Sequence, residues 1–257
     1  MIKIENFEVV GWEHAIRGMR NPMNSWEKSD SAYTINSDYI VLGPNDHELM
    51  MKLAKAGPVH GKYRRMIDVY VDITAPLYWW KEFDTYKVGT VANSCSTMHK
   101  IHAKEFTMED FSHEHLFDSP VDMDNDMRKG LDIEEKYKLE GYVLSHNDDC
   151  GYLAIDDGVC VDYYSPKNIL EIFVIGALNA NREAYLKTKD KKYWWQMIQL
   201  LPSSYNQLRT VKMNYEVLAN IYEYRKNHKL DEWVEFCKWI ERLPYSEIIT
   251  CSAKEEK

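Results

Sequence analysis

The chain has 257 residues, of which 45% are hydrophobic and 28% charged, and this composition suffices to bury a sizeable core. The formal net charge of -9 disfavours a long nucleic acid as partner, because phosphate backbones are bound through a positive field. A small anion stays compatible with this charge, since a local group of Arg and Lys side chains can hold it.

The apolar residues and the cysteines bear on the cellular setting. No stretch approaches about 18 uninterrupted apolar residues, and MIKIENFEVVGWEH has no apolar signal region, so we expect neither a membrane span nor a signal peptide. The five cysteines are widely spaced and form no CxxC pair, which indicates free thiols in a reducing, cytoplasmic setting. The 8 Trp and 18 Tyr residues are expected in an aromatic core and at subunit interfaces.

Alternating apolar and polar side chains predict strands at residues 1–10 and 67–76, and Pro76 ends the second. Helical spacing of apolar residues predicts helices within residues 11–33, 45–57, 77–87, 134–144, 168–186, 189–200, 205–227 and 230–244. The remaining predictions are a loop over 88–101, a capped turn at Thr107, an irregular acidic stretch over 117–133, and a hairpin or exposed loop over 145–165.

Two of these helices carry residues on which later conclusions depend. The helix over 45–57 is predicted to be capped by Asn45 and stopped by Gly57. The run YNQLRTVKMNYEVLANIYEYRKN over 205–227 is predicted as one long amphipathic helix. Because no internal repeat and no Gly/Ser linker is present, we predict one α+β domain over residues 1–257, with a modest sheet packed with long helices.

A group of histidines could suggest a metal site. His113 and His115 flank a glutamate, but a helical zinc pair needs two histidines four residues apart with a glutamate between them. Spacing of two puts them on different helical faces, so we predict solvated loop histidines and no metal site. The phosphate-loop patterns GxGxxG and GxxxxGK[ST] do not occur in the chain.

The stretch Ser94-Cys95-Ser96 places a thiol between two hydroxyls. Its residues leave three roles open: a nucleophile, a metal ligand or loop packing. A pair of Cys95 with His99 could activate a thiolate. That pair requires both residues on one helical turn, and the stretch over 89–97 does not predict a helix.

Three cations, Lys62, Arg64 and Arg65, stand just before the strand over 67–76. Such a group can hold a phosphate or pyrophosphate through charge-assisted hydrogen bonds. The alternative is a solvated positive edge that blunts strand pairing. The residues alone leave both interpretations open.

Two asparagines and one arginine stand out within the predicted helix over 205–227. Asn214 and Arg225 lie eleven residues apart and are predicted to share a helical face, with Asn220 on a flank. Asparagine is a weak helix former, so two in one helix indicate a polar role. Solvent exposure is the alternative for each.

The order of these elements resembles that of the flavin-dependent thymidylate synthases. The segment VYVDITAPLYWWKEF over 69–83 is similar to the family's strand, its Ala-Pro end and its aromatic helix. The segment LLPSSYNQLRTVKMNYEVLANIYEYR over 200–225 is similar to the family's leucine-proline turn and the asparagine-bearing helix that follows. The resemblance covers roughly two thirds of the chain.

The resemblance implies the fold of the thymidylate-synthase-complementing proteins, assembled as a homotetramer with sites between subunits. It implies FAD as cofactor, with NADPH and methylenetetrahydrofolate as further reactants and a pyrimidine nucleotide as substrate. The implied activity is a methyltransferase reaction of pyrimidine metabolism, in which a one-carbon unit passes to the base. An inactive nucleotide-binding, structural or regulatory relative is the alternative.

The resemblance also implies roles for individual residues. It places Ser94, Cys95 and Ser96 beside the base, as catalytic residues. The residues it implies for flavin contact are His60, Asn214 and Asn220. Those it implies for substrate contact are Arg225, Lys62, Arg64 and Arg65.

Several positions depart from the family pattern. The Arg-His-Arg signature falls on Asp84, Thr85 and Tyr86, so its phosphate-binding charge is lost. The other changed positions are Ala92-Asn93 in place of Asn-Glu, Thr97 in place of an arginine, Glu216 in place of an arginine, and Arg65 in place of a glutamate. The three cations before the strand are then the candidates to replace the lost charge.

Overall fold

A computed structural model describes residues 2–33, 40–117, 138–139, 142–143, 153–156 and 161–251 of the chain. They belong to two compact units, each with its own hydrophobic core. The first unit is Met1–Cys95 with Gln207–Lys257, and the second is Ser96–Asn206. The expectation of a single domain over 1–257 stays a prediction.

The α+β class is confirmed, because helices and an antiparallel-paired sheet occur together. The strands are β1 (Lys3–Val10), β2 (Ala32–Tyr33), β3 (Ile40–Val41), β4 (Asp68–Pro76), β5 (Val91–Ser94), β6 (Lys138–Leu139), β7 (Tyr142–Val143), β8 (Leu153–Asp156), β9 (Val161–Tyr164) and β10 (Asn206–Asn214). The helices are α1 (Trp12–Arg20), α2 (Pro44–Lys55), α3 (Leu77–Phe83), α4 (Thr97–Lys100), α5 (Pro166–Asn168), α6 (Gly176–Thr188), α7 (Lys191–Leu200), α8 (Tyr215–Arg225), α9 (Asp231–Ile240) and α10 (Glu247–Thr250). A 3-10 helix spans Gly61–Met66, and a π-helix spans Ile169–Ile175.

The first unit contains a four-stranded sheet with the strand order β1-β4-β10-β5 and a two-stranded sheet of β2 and β3. Strand β1 runs antiparallel to β4, and β5 runs antiparallel to β10. Alternate side chains of β4 are buried, as expected when successive residues face opposite sides of a sheet: Val69, Val71, Ile73 and Ala75. The strands predicted over 1–10 and 67–76 are thereby confirmed.

An aromatic cluster joins α3 to α9 in the core of the first unit. The Trp79 ring centroid lies 4.7 Å from that of Trp233 and 5.1 Å from that of Phe83. These three rings, together with Trp80 and Phe236, are almost completely buried. Each large buried side chain contributes about 1.5–3 kcal/mol of stabilisation. The predicted aromatic core is confirmed, and the packed rings hold the two helices against each other.

The run over 205–227 is not the single helix that its apolar spacing predicts. Its first part is β10, an inner strand of the sheet, and only its second part is α8. The turn between them is made by Asn214, whose side-chain oxygen accepts the Val217 N–H at 3.0 Å. Pairing with a strand on each side outweighs local helical spacing, because strand formation depends on partners distant in sequence.

Three further predictions are wrong. Residues 88–101 were predicted as a loop but contain β5 and α4. Strand β5 was missed because it is an exposed edge strand, without the alternation of buried and exposed residues that marks a strand in sequence. The predicted cap of α2 was Asn45, but the N-cap position is Gly43. The Asp30 carboxylate accepts the N–H groups of Asn45 at 2.9 Å and Asp46 at 3.1 Å. A helix was predicted over 134–144, but the described residues of this range lie in β6 and β7, whose pairing requires extended backbone. The other residues of 134–144, and nearly all of 117–133, lie outside the described part.

The second unit has a core of its own around α6 and α7, in which Phe106, Phe111, Leu178 and Met197 are buried. The capped turn at Thr107 is confirmed, since its N–H donates to the Asp110 carboxylate at 2.9 Å. Strands β8 and β9 pair antiparallel, as expected for a hairpin within 145–165. Among the described residues, no helix is long and apolar enough to cross a membrane.

Candidate functional site

A cleft of about 910 Å³ opens along α8 in the first unit. Binding sites for small molecules have volumes of about 300–1,000 Å³, so this cleft is large enough for a nucleotide-sized ligand. Its polar wall is formed by Arg64, Arg65, Asn214, Glu216, Asn220 and Glu223. Its apolar wall includes Ala54, Pro58, Val88, Val217 and Ile249.

Four of the residues that the sequence singled out lie together on this cleft. Arg64 and Arg65 come from the 3-10 helix before β4, and Asn214 and Asn220 come from the start and the middle of α8. The β4–β10 pairing brings the two segments together, and the N–H of Tyr215, the first residue of α8, donates to the Ile67 carbonyl just before β4 at 3.0 Å.

Arg64 uses its charge inside the protein. Its Nε and Nη2 atoms each lie 2.8 Å from Glu216 Oε2, and Nη1 donates to the Ile248 carbonyl at 3.2 Å. The Arg64 side chain is only 7% exposed and that of Glu216 is 19% exposed. The two charges neutralise each other, so the exposed guanidinium of Arg65 is the cation that this wall can offer to a ligand.

The two asparagines differ in what they can offer. Asn214 is buried, and its oxygen is committed to the cap of α8. Gly89 has φ +82°, and a Cβ there would lie 2.9 Å from Asn214 Nδ2 and 3.1 Å from Val217 Cγ2, so the loop before β5 needs glycine to approach this closely. Asn220 is exposed on the cleft wall and keeps both an amide donor and an acceptor available.

Arg225 lies outside the lining of the cleft. Its Nη1 lies 2.9 Å from Glu82 Oε2 and its Nε donates to the Tyr86 hydroxyl at 2.9 Å. The guanidinium also lies 4.9 Å from the centroid of the Trp233 ring, and Nη1 lies 2.9 Å from His228 Nε2. Asn214 is the N-cap of α8 and Arg225 is its last residue, and only Asn214 lines the cleft. The substrate role of Arg225 stays a prediction.

The Ser94-Cys95-Ser96 stretch lies at the end of β5. The Cys95 N–H donates to the Leu208 carbonyl at 2.9 Å and the Cys95 carbonyl accepts from Gln207 Nε2 at 3.0 Å, while the thiol is free and exposed. Ser94 pairs across the strand with Arg209. Ser96 belongs to the second unit and caps α4, its hydroxyl accepting the His99 N–H at 3.1 Å. Ser94 and Cys95 do not line the cleft, and the catalytic assignment of all three stays a prediction.

His60 and Lys62 are exposed near the start of the 3-10 helix and do not line the cleft. The three cations therefore differ in their surroundings: Arg64 is in an internal ion pair, Arg65 is exposed on the cleft, and Lys62 is exposed outside it. Within the described ranges, no group of three or more His, Cys, Asp or Glu side chains is arranged to hold a metal ion.

Sequence reasoning missed several lining residues: Gly89, Glu223, Tyr224 and Cys251. Tyr224 lies one helical turn beyond Asn220, and this spacing of four is the signal that could have identified it. Burial raises the pKa of the half-buried Cys251 thiol, which disfavours its reactive thiolate form.

No protein-family model and no curated protein matches the chain. Solved structures do match, and they define the class of fold, a sheet packed with helices. Thymidylate synthase X of Helicobacter pylori, crystallised with FAD and dUMP, is 14% identical with a TM-score of 0.58, over 96% of each chain. A second structure of that enzyme with the same ligands has 14% identity and a TM-score of 0.53, over 96% of this chain and 95% of the other.

The UMP/dUMP methylase PolB of Streptomyces cacaoi, bound to 5-Br dUMP, is 12% identical with a TM-score of 0.51, over 97% of this chain and 95% of the other. At these identities the likeness is one of fold. The chain has the fold of the flavin-dependent thymidylate synthases, and the resemblance found in its sequence is confirmed at that level.

Proposed function

We propose that the chain is a divergent flavin-dependent thymidylate synthase-like protein that binds a pyrimidine nucleotide and FAD in the cleft beside α8. The observation that carries this proposal is the meeting of Arg65, Asn214 and Asn220 on one nucleotide-sized cleft. It is supported by solved structures of the same fold that hold FAD and dUMP, or 5-Br dUMP.

The lining residues fit such ligands. The exposed Asn220 amide can donate to and accept from the edge of a heterocycle, and Arg65 can bind a phosphate through paired N–H donors. The ion pair between Arg64 and Glu216 leaves no net charge of its own, so Arg65 is not opposed by Glu216. When bound, FAD supplies hydride chemistry, and the residues of this chain bind and orient the reactants.

The catalytic part of the proposal requires methylenetetrahydrofolate as one-carbon donor and NADPH as reductant. Ser94, Cys95 and Ser96 would then act at the base, where their hydroxyls and thiol can donate hydrogen bonds or supply a nucleophile. Ser94 and Cys95 lie outside the lining of this cleft, so the proposal includes a homotetramer in which another copy supplies them.

A second candidate function is nucleotide binding without turnover, in a regulatory or structural protein. The specific observation in its favour is that Arg64 and Arg225, both substrate candidates, use their guanidinium groups within the protein. The acidic and neutral residues at Asp84, Thr85 and Tyr86 also favour it, because they remove the family's phosphate-binding charge from that position.

The experiment uses the purified full chain. Retained absorbance near ~450 nm, or uptake of added FAD, reports the flavin. Titration calorimetry with dUMP reports the nucleotide, and formation of dTMP from dUMP, methylenetetrahydrofolate, NADPH and FAD reports turnover. Binding with turnover supports the first function, and binding without turnover supports the second. A chain that binds neither FAD nor dUMP contradicts both.

A further inference from the structure

Tyr224 exposes its ring on the wall of the cleft. The residue is 74% exposed although it belongs to α8, which buries Tyr215, Val217, Leu218 and Ile221. It is the one aromatic residue among the described residues that line the cleft. On the wall of a cleft of ligand size, and beside polar groups, this ring is available to a bound ligand.

Helix geometry gives this ring a defined place in the cleft. Val217, Asn220 and Tyr224 have the spacing i, i+3 and i+7, so they follow one another along a single face of α8. At 1.5 Å of rise per residue, about 10 Å separate the first from the last. The loop at Gly89 closes the first end, because a Cβ there would contact Val217 at 3.1 Å.

The resulting slot has an apolar end at Val217, an amide in its middle and an aromatic face at its far end. A flat heterocycle matches this order, since its edge can pair with the Asn220 amide while its face lies on a tyrosine ring. An aliphatic or purely phosphorylated ligand would leave the ring of Tyr224 in water.

We propose that Tyr224 is the stacking platform for the aromatic ring of the bound ligand, and thus a specificity-determining residue for nucleotides over sugar phosphates. This inference rests on the proposed function and deepens it. Asn220 pairs with the edge of the ring, and Arg65 binds the phosphate of the same ligand. The hydroxyl of Tyr224 is not required, because stacking uses the face of the ring.

The test separates the ring of the ligand from its phosphate. Titration calorimetry measures the affinity of the full chain for dUMP, for FAD and for 2-deoxyribose 5-phosphate, which keeps the sugar and phosphate of dUMP but has no base. The variants are Tyr224→Ala, Tyr224→Phe and Arg65→Gln. Tyr70→Ala is the matched control, since Tyr70 is a half-exposed tyrosine on β4 outside the cleft.

Stacking of a base on an aromatic side chain corresponds to a change in affinity of about 5- to 150-fold. Tyr224→Ala is therefore expected to weaken dUMP or FAD binding at least about fivefold and to leave 2-deoxyribose 5-phosphate unchanged. Tyr224→Phe and Tyr70→Ala keep the affinity of the unaltered chain. Arg65→Gln weakens the nucleotide and the sugar phosphate alike.

The outcomes separate this inference from the function on which it rests. If the unaltered chain binds neither dUMP nor FAD, the proposed function fails and the stacking role fails with it. If the unaltered chain binds dUMP, FAD or both, and Tyr224→Ala binds each of these ligands as tightly as the unaltered chain does, the stacking role alone is overturned. If Tyr224→Ala weakens the binding of 2-deoxyribose 5-phosphate as much as that of the nucleotide, the stacking role is also overturned, because the sugar phosphate has no aromatic ring to stack.

Discussion

Helix α8 carries two polar regions of opposite character. Asn220, in its middle, and Tyr224, just before its end, are exposed on a cleft of about 910 Å³. At its last residue, Arg225 donates from Nε to Tyr86 and from Nη1 to Glu82, and its guanidinium lies over the Trp233 ring. The comparison teaches that residue type alone does not mark a ligand site. A polar side chain can serve a ligand only where the protein itself leaves its hydrogen-bonding capacity unused.

Arg64 provides the strongest test of this contrast, because it lines the cleft but is used internally. Arg64→Met is expected to lower the free energy of unfolding by about 3 kcal/mol, since it leaves Glu216 partly buried without its cation. Urea denaturation measures the loss. Adding Glu216→Leu to Arg64→Met should recover most of the stability. A stability unchanged by Arg64→Met would show that the ion pair is not structural.

Arg225 makes its polar contacts inside the protein and should behave as a structural residue. Arg225→Met is expected to cost about 2 kcal/mol, because hydrogen bonds to Glu82 and Tyr86 are lost together with the contact to Trp233. Urea denaturation and calorimetry with dUMP are measured on the same preparation. Intact stability with a dUMP affinity weakened tenfold or more (about 1.4 kcal/mol) would instead place Arg225 in the ligand site.

On the cleft wall, Asn214 has a structural role as the N-cap of α8, whereas the Asn220 amide is available to a ligand. Asn214→Ala is expected to lower the free energy of unfolding by about 1 kcal/mol, the usual cost of removing a helix N-cap. Asn227→Ala, at an exposed asparagine just beyond α8, is the matched control and should change it by less than about 0.5 kcal/mol. Equal stabilities for Asn214→Ala and Asn227→Ala in a urea titration would contradict the capping role.

The cysteines give the smallest effect, a difference in labelling without a change in stability. Burial raises the pKa of Cys237 to about 12, so its thiol stays protonated at pH 8 in the folded protein. Cys95 is exposed. Iodoacetamide at pH 8 should label Cys95 in the native protein and Cys237 only after unfolding, as peptide mass spectrometry can determine. Native labelling of Cys237 at the rate of Cys95 would mean that α9 opens readily.

The sequence predicted what local spacing determines. The strand over 67–76 alternates cleanly, and the rings of Trp79, Trp80 and Phe83 identify the aromatic core. Strands β5 and β10 were missed because their extended form comes from pairing between segments more than a hundred residues apart, which no local period reports.

For the candidate site, the sequence predicted several residues but not the partners that their side chains contact. Arg65, Asn214 and Asn220 were named by residue type and resemblance, and the structure places them on one cleft. The pairing of Arg64 with Glu216, and of Arg225 with Glu82, depends on which segments of the chain pack against each other. Sequence alone therefore could not separate arginines that bind internally from those that face a ligand.

Asn220→Leu tests most directly the central claim that the cleft beside α8 binds the nucleotide and the flavin. Leucine is similar in size and removes the amide, while Asn227→Leu makes the same change outside the cleft. Calorimetry with dUMP and FAD should show affinity weakened by at least about tenfold (about 1.4 kcal/mol) for Asn220→Leu, with its urea midpoint and the affinities of Asn227→Leu unchanged. Equal dUMP and FAD affinities for the unaltered chain and Asn220→Leu would contradict the claim.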